Sequence, residues 1–227
     1  LFLKFPLVHL RPIILRYPFL RAVNMKEKII QKATEQFLNL GFKSVTMDDI
    51  ASELGISKKT IYTHFNNKTA LVKAVTMEVF DTISCSIDEI RKDDHDPIEE
   101  LYEVKNFVMK RLKDEKTSPQ YQLQKYYPEI YKTLTVKRFE KMHECTVQNL
   151  QKGKALGLYR EHVDIDFISK IYFVGISGIK DETLFPIHEY PKTQLFEDYL
   201  EYHLRAIVTP AGLQTLNKFI KATQTNE

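Results

Sequence analysis

Between Thr46 and Lys68 the chain reads TMDDIASELGISKKTIYTHFNNK, and the spacing of its apolar residues leaves little choice of fold. Ile50, Ala51, Leu54, Ile56, Ile61 and Phe65 cannot lie along one face of a single straight helix. They fit two short helices folded over a shared seam and broken at Gly55, a helix-turn-helix pattern. The punctuation agrees. Thr46 is placed to cap the first helix, with Asp49 as the acidic half of a capping box. Gly55 suits a turn that side chains resist, and small Ala51 lets the helices cross closely. Ser57 caps the second helix and Asn67 the one that follows.

The second of these helices has two unlike faces. Ile61 and Phe65 share the inner one, so Lys59 and Thr63 point outward, with Thr60 and Tyr62 on the flanks. Lys58 and Lys59 sit in the first turn, where a cation opposes the helix dipole at a cost of about 0.3–1 kcal/mol. An anion is therefore expected to face them. An outer surface of Lys-Lys-Thr-Tyr-Thr-His suits a DNA major groove: cations and hydroxyls meet phosphates, while short polar groups and a methyl meet base edges.

From Met25 to Phe80 the chain resembles the amino-terminal three-helix DNA-binding domain of the TetR family of transcriptional regulators. The resemblance is carried by KIIQKATEQFLNLGFKSVTMDDIASELGISKKTIYTHFNNKTAL, Lys28 to Leu71. A helix closes at Gly41-Phe42; Thr46, Ile50-Ala51, Gly55-Ile56-Ser57, Tyr62, Phe65, Lys68 and Leu71 follow in family spacing. A bare helix-turn-helix pattern is only moderately specific, whereas this whole set is strong. Lys59 departs from the family, in which many members carry Gly, and adds a charge at the groove. The resemblance implies DNA contacts from Thr46, Ser57, Lys58, Lys59, Thr60, Tyr62, Thr63, His64 and Lys68. Tyr62 and Lys68 would hold phosphates, and Lys58, Lys59, Thr60 and Thr63 would lie nearest the bases.

The chain has 227 residues, 43% of them hydrophobic, and only seven glycines: enough for one or two globular domains, with a composition favouring helices. Cys85 and Cys145 lie far apart and form no CxxC pair, so neither a disulfide framework nor a zinc site is indicated, and a reducing cytoplasm fits. Residues 1–24 differ from the rest: basic, free of acid, and cut by Pro6, Pro12 and Pro18 into apolar runs too short to span a bilayer. They are read as an upstream artefact or disordered tail, with translation starting at Met25. The competing reading is a basic arm for a minor groove or a membrane surface. This segment holds Lys4, Arg11, Arg16 and Arg21; without them the 33 basic residues fall to 29, against 30 acidic ones. Overall basicity is thus no evidence for DNA binding, which must rest on where the cations lie.

The remaining pattern predicts an all-α fold: a DNA-binding domain over 25–72 and a helical effector-binding and dimerisation domain over 73–227. Ile29, Ile30, Ala33, Phe37 and Leu40 mark an amphipathic first helix over 26–40. A fourth helix, Lys68 to about Arg91, joins head to body and is the natural transmitter between them. His95 in the acidic run after it either ligates a metal beside Asp93, Asp94 and Asp96 or sits in an exposed turn. Further helices are predicted over 97–113, 118–127, 129–152 with a stop at Gly153, 164–180, 193–208 and 209–222.

Chemistry is sparse in this second half. His143-Glu144-Cys145 is suggestive, but adjacent helical positions point about 100° apart and cannot converge on one atom. His143 shares a face with Phe139, Val147 and Leu150, as a core or pocket-lining residue does. With no Gly-rich phosphate loop, HExxH or nucleophile elbow, no catalytic residue, cofactor or metal is expected. Tyr102, Phe107, Tyr126, Tyr127, Tyr131 and Phe139 fall on helices that, in the proteins this chain resembles, surround an apolar effector cavity. With His143 they are candidate ligand contacts, the alternative being that the rings fill core. Ile171, Gly175, Gly178, Phe196, Tyr199, Leu200 and Leu204 are expected at a homodimer interface, or else in intramolecular core. The function implied is a homodimeric repressor released from a DNA operator by a small organic effector, with no membrane partner. An activator, an effector-independent regulator, or an enzyme or carrier with a vestigial head are the alternatives.

Overall fold

Asn24 opens the first helix. Its side-chain oxygen accepts the Glu27 N–H at 3.0 Å while the Glu27 carboxylate accepts the Asn24 N–H at 3.2 Å, a capping box that starts α1 (Met25–Leu40). The structure is a computed structural model describing residues 24–93, 95–113 and 119–224. Asn24 thus belongs to the fold rather than to the amino-terminal extension expected over 1–24, and the readings made of residues 1–23 lie outside the described residues.

The next two helices follow their predicted punctuation. Thr46 and Asp49 close a reciprocal box at the start of α2 (Met47–Leu54), Gly55 ends it with φ +63°, and Ser57 caps α3 (Lys58–His64). Asn67 then accepts the Ala70 N–H at 2.8 Å to start α4 (Lys68–Lys92). Ile29, Ala33 and Phe37 of α1 meet Ile50, Ala51, Ile61, Phe65, Leu71 and Val75 in one buried cluster, which fixes the three short helices against the first turns of α4. For its 25 residues α4 runs unbroken, straight through the boundary expected at residues 72 and 73.

The body comprises α5 (Pro97–Lys113), α6 (Pro119–Tyr126), α7 (Pro128–Ala155), α8 (Ile165–Gly178), α9 (Lys192–Ile207) and α10 (Pro210–Gln224). Four of these begin at proline, whose missing N–H is no loss in a first turn. α7 packs against α4, α5, α6 and α8, while α5 packs against α9 and α10. Ile98, Tyr102, Leu150, Tyr159, Tyr172, Leu200, Leu204, Ile207 and Leu216 form the second core. A salt bridge between Lys105 and Glu197 ties α5 to α9. Among the described residues no helix is long and apolar enough to cross a membrane.

One expectation needs correction. α7 does not stop at Gly153 but continues to Ala155, because that glycine makes room rather than a turn: a Cβ there would fall 2.0 Å from the buried Tyr159 ring. The turn belongs to Gly157, at φ +69°. Besides α4, a second contact joins head and body. Leu123 of α6 and Ile130 of α7 are buried in the head's own cluster, and Phe42 meets the Tyr127 ring edge-on at 6.3 Å. The Gln122 amide lies over Gly41 and its oxygen accepts the Lys43 N–H at 3.3 Å, so the α6–α7 corner is plugged into the α1–α2 turn.

Candidate nucleic-acid interface

α3 is pinned by two side chains. Ile61 is fully buried and Phe65 nearly so, which turns Lys58, Lys59, Thr63 and His64 to solvent, leaves Tyr62 42% exposed and half-buries Thr60. The hydroxyls at its start are ordered: Ser57 Oγ accepts the Thr60 N–H at 3.1 Å and lies 2.9 Å from Thr60 Oγ1, and Thr63 Oγ1 donates to the Thr60 carbonyl at 2.7 Å. Thr46, exposed at the start of α2, shares its N–H and hydroxyl with Asp49 at 2.7 and 2.9 Å. Those two donors hold the Asp49 carboxyl below its ordinary range.

The three cations expected at DNA differ in their surroundings. Lys59 forms no ion pair among the described residues. Lys58 Nζ lies 2.6 Å from the Asp48 carboxylate, which raises its pKa. Lys68 is half-buried: Nζ donates to the Lys43 carbonyl at 3.3 Å and sits 6.0 Å from the Phe37 ring centroid, and burial pushes its pKa down. Asp48 is the residue that pattern reading missed. It lies ten positions from Lys58, across a turn, where helical spacing gives no warning of contact.

The seven positions expected around an effector do not gather in one place. Tyr127 and Tyr131 pack onto the head's core, with exposed Tyr126 beside them under Lys43 and Lys125 at 5.2 and 5.6 Å. Phe139 lies 5.1 Å from Phe173 and 5.5 Å from His143, whose Nδ1 is 2.8 Å from Ser169 Oγ. Tyr102 stacks on Phe219 at 5.6 Å in the second core, and Phe107 is half-buried further along α5. Periodicity tells which stretch of chain carries each ring but not which neighbour the ring faces. A cleft of about 330 Å³ lies elsewhere, lined by Arg205, Val208, Thr209, Pro210 and Leu213. His143-Glu144-Cys145 diverges as expected: Glu144 is exposed, and the Cys145 thiol takes a hydrogen bond from Arg91 at 3.2 Å. His95 approaches Glu99 at 3.2 Å and Asp93 at 3.8 Å, while Asp94 lies outside the described residues.

The expected dimer residues also divide. Phe196, Leu200 and Leu204 are buried within the single chain, in the intramolecular core that is the alternative reading. Gly175 is taken up by its own Tyr199, whose hydroxyl a Cβ would meet at 2.1 Å. Ile171 and Gly178 are exposed, in line with Phe167 and Val174 on one stripe of α8, and Tyr202 is exposed on α9.

Comparison with known proteins agrees with this geometry. The family model described as bacterial regulatory proteins, tetR family, matches residues 29–75, the helices just built. Over those residues the chain carries the DNA-binding domain of the tetR family. Among similar proteins, the uncharacterized HTH-type transcriptional regulator YhgD of Bacillus subtilis is 27% identical over 60% of this chain and 56% of its own. IcaR of Staphylococcus aureus, named a negative transcriptional regulator of the biofilm operon icaADBC, is 35% identical over 26% of this chain and 32% of its own. The matches thus span little more than half of one relative and a third of the other; both are named regulators and neither an enzyme. The structure of SmeT from Stenotrophomonas maltophilia in complex with triclosan is 18% identical, with a TM-score of 0.63 over 82% of this chain and 92% of that one, which extends the shared fold through the body.

Proposed function

We propose that this protein is a sequence-specific DNA-binding transcriptional regulator, a homodimeric repressor released from its operator by a small organic effector. The observation that carries the reading is the outward face of α3, where Lys58, Lys59, Thr63 and His64 stand exposed over the buried Ile61 and Phe65. Cations and hydroxyls in that array match phosphate oxygens and base edges. Thr46, Ser57, Thr60, Tyr62 and Lys68 complete the proposed contact set, Tyr62 toward phosphate. The family and IcaR's name support repression, and the triclosan complex of SmeT supports a helical body that takes an organic ligand.

An effector acts by binding one arrangement of head and body better than another. Here the two routes are α4 and the α6–α7 corner. Phe139 and His143, half-buried on the α7–α8 seam, are the effector contacts best placed to report on both. The test is footprinting on DNA flanking the protein's own gene, repeated with a panel of drug-sized aromatic compounds. Protection of a two-fold symmetric site, lost with one of the compounds, is the expected result. Absence of protection at low salt would end the DNA-binding reading, and protection that no compound moves would end the effector part alone.

A further inference from the structure

Lys58 and Lys59 are neighbours in the first turn of α3 but are not equivalent. Lys59 forms no ion pair among the described residues, whereas Lys58 Nζ sits 2.6 Å from Asp48 Oδ2 on α2. Both helix ends favour the pairing: the first turn of α2 welcomes an anion, and the first turn of α3 is a poor place for a bare cation. Both side chains are also at the surface, 47% exposed for Lys58 and 65% for Asp48, so an incoming duplex can reach them and the pair is weak enough to be exchanged.

We propose that Asp48 is a specificity-determining residue of the DNA interface: it holds Lys58 as a neutral pair, so that this cation is released only where a base edge supplies acceptors in place of the carboxylate. The inference rests on the DNA-binding reading above. Sequence-blind attraction to a duplex scales with the number of cations that replace phosphate counterions, and a neutral pair adds none. A purine edge with two acceptors, as guanine offers through O6 and N7, replaces what Lys58 gives up, while a wrong base leaves the carboxylate facing the phosphates. Lys59 supplies general attraction, and Lys58 with Asp48 supplies discrimination.

The experiment measures affinity of the full-length protein for a random-sequence duplex across a salt series, for wild type, Asp48→Asn, Lys58→Met and the double variant. Asp48→Ser, a residue at home in a first helical turn, is run in parallel, and melting curves confirm that each variant folds. Asp48→Asn and Asp48→Ser are expected to bind about fivefold more tightly, with the logarithmic salt slope steeper by about one unit. In the Lys58→Met background the same change at Asp48 should alter affinity by less than about twofold. An undiminished gain in that background would show Asp48 acting as a general repulsive charge and would overturn the inference, as would no gain in the single variants. If wild type itself binds no duplex at low salt, the DNA-binding reading falls and this inference falls with it.

Discussion

Gly55 and Gly153 show how one residue type serves two purposes, and their substitutions should separate. Gly55 has φ +63° and nothing within 4 Å of an added Cβ, so Gly55→Ala should cost only the left-handed backbone penalty, about 1–2 kcal/mol in urea denaturation. Gly153 lies inside α7, where alanine would ordinarily help, yet its Cβ would strike a Tyr159 ring that is buried and held by Asn149 Oδ1 at 3.1 Å. Gly153→Ala should therefore destabilise by about 3 kcal/mol, at the upper end for overpacking. His203 makes a third residue-scale case. It is buried on α9 with its ring 4.5 Å from Tyr172, and burial pushes its pKa from 6.5 down to about 4. Since the folded state holds that proton less readily than the unfolded chain, its contribution is complete above pH 6.5 and is lost as pH falls toward 4. The loss amounts to about 3 kcal/mol. His203→Phe should flatten the pH dependence of the melting temperature between pH 6.5 and 4; an unchanged slope would place the acid sensitivity elsewhere.

At the scale of elements, the head is not self-sufficient. Leu123 and Ile130 close the core around Phe37 and Phe42, so part of the head's stability comes from the α6–α7 corner. Leu123→Ala removes a side chain that is 4% exposed and should cost about 2–5 kcal/mol. Hydrogen exchange would locate the effect: amides of α1 and α2 should lose protection although the substitution lies in the body, and exchange confined to α6 would refute the shared core. This coupling marks the limit of what the chain discloses in advance. The caps at Thr46, Ser57 and Asn67 were legible because each donor and acceptor lies within three residues. Ile61 and Phe65 were legible because helical spacing alone buries them. The contact between Gln122 and Lys43 joins residues 79 positions apart, and periodicity tells only that a face is covered, not what covers it. The same gap hid Asp48 beside Lys58, scattered the expected effector residues, and sent Phe196, Leu200 and Leu204 into intramolecular core. Gly153 misled for a related reason: a glycine after a long helical run reads as a stop until the ring that occupies its space is known.

Across the whole molecule, the decisive question is how seven residues of α3 can select a DNA site. A helix of that length is about 10 Å long and reaches only a few base pairs, so useful affinity needs two heads one helical turn apart. A second copy of the chain is the economical source, and the surface proposed to hold it is the stripe Phe167, Ile171, Val174 and Gly178 on α8, together with Tyr202 on α9. Those four side chains are 59%, 44%, 60% and 72% exposed at Phe167, Ile171, Val174 and Tyr202, a heavy apolar load for open solvent. In a two-fold contact the same patch meets itself, so Val174→Glu would bring two carboxylates into one apolar interface. The proposed dimer should dissociate to monomer in sedimentation at micromolar concentration while the melting temperature of the chain changes little. DNA affinity should then fall by about 100-fold or more, because the second head no longer binds as a tethered partner. Phe196→Ala provides the contrast. That residue is 6% exposed inside the chain, so its loss should lower the melting temperature without first dissociating the subunits. If Val174→Glu stays dimeric and Phe196→Ala yields folded monomers, the contact lies on the opposite side of α9 from the one proposed, and the spacing of the two heads must be worked out anew.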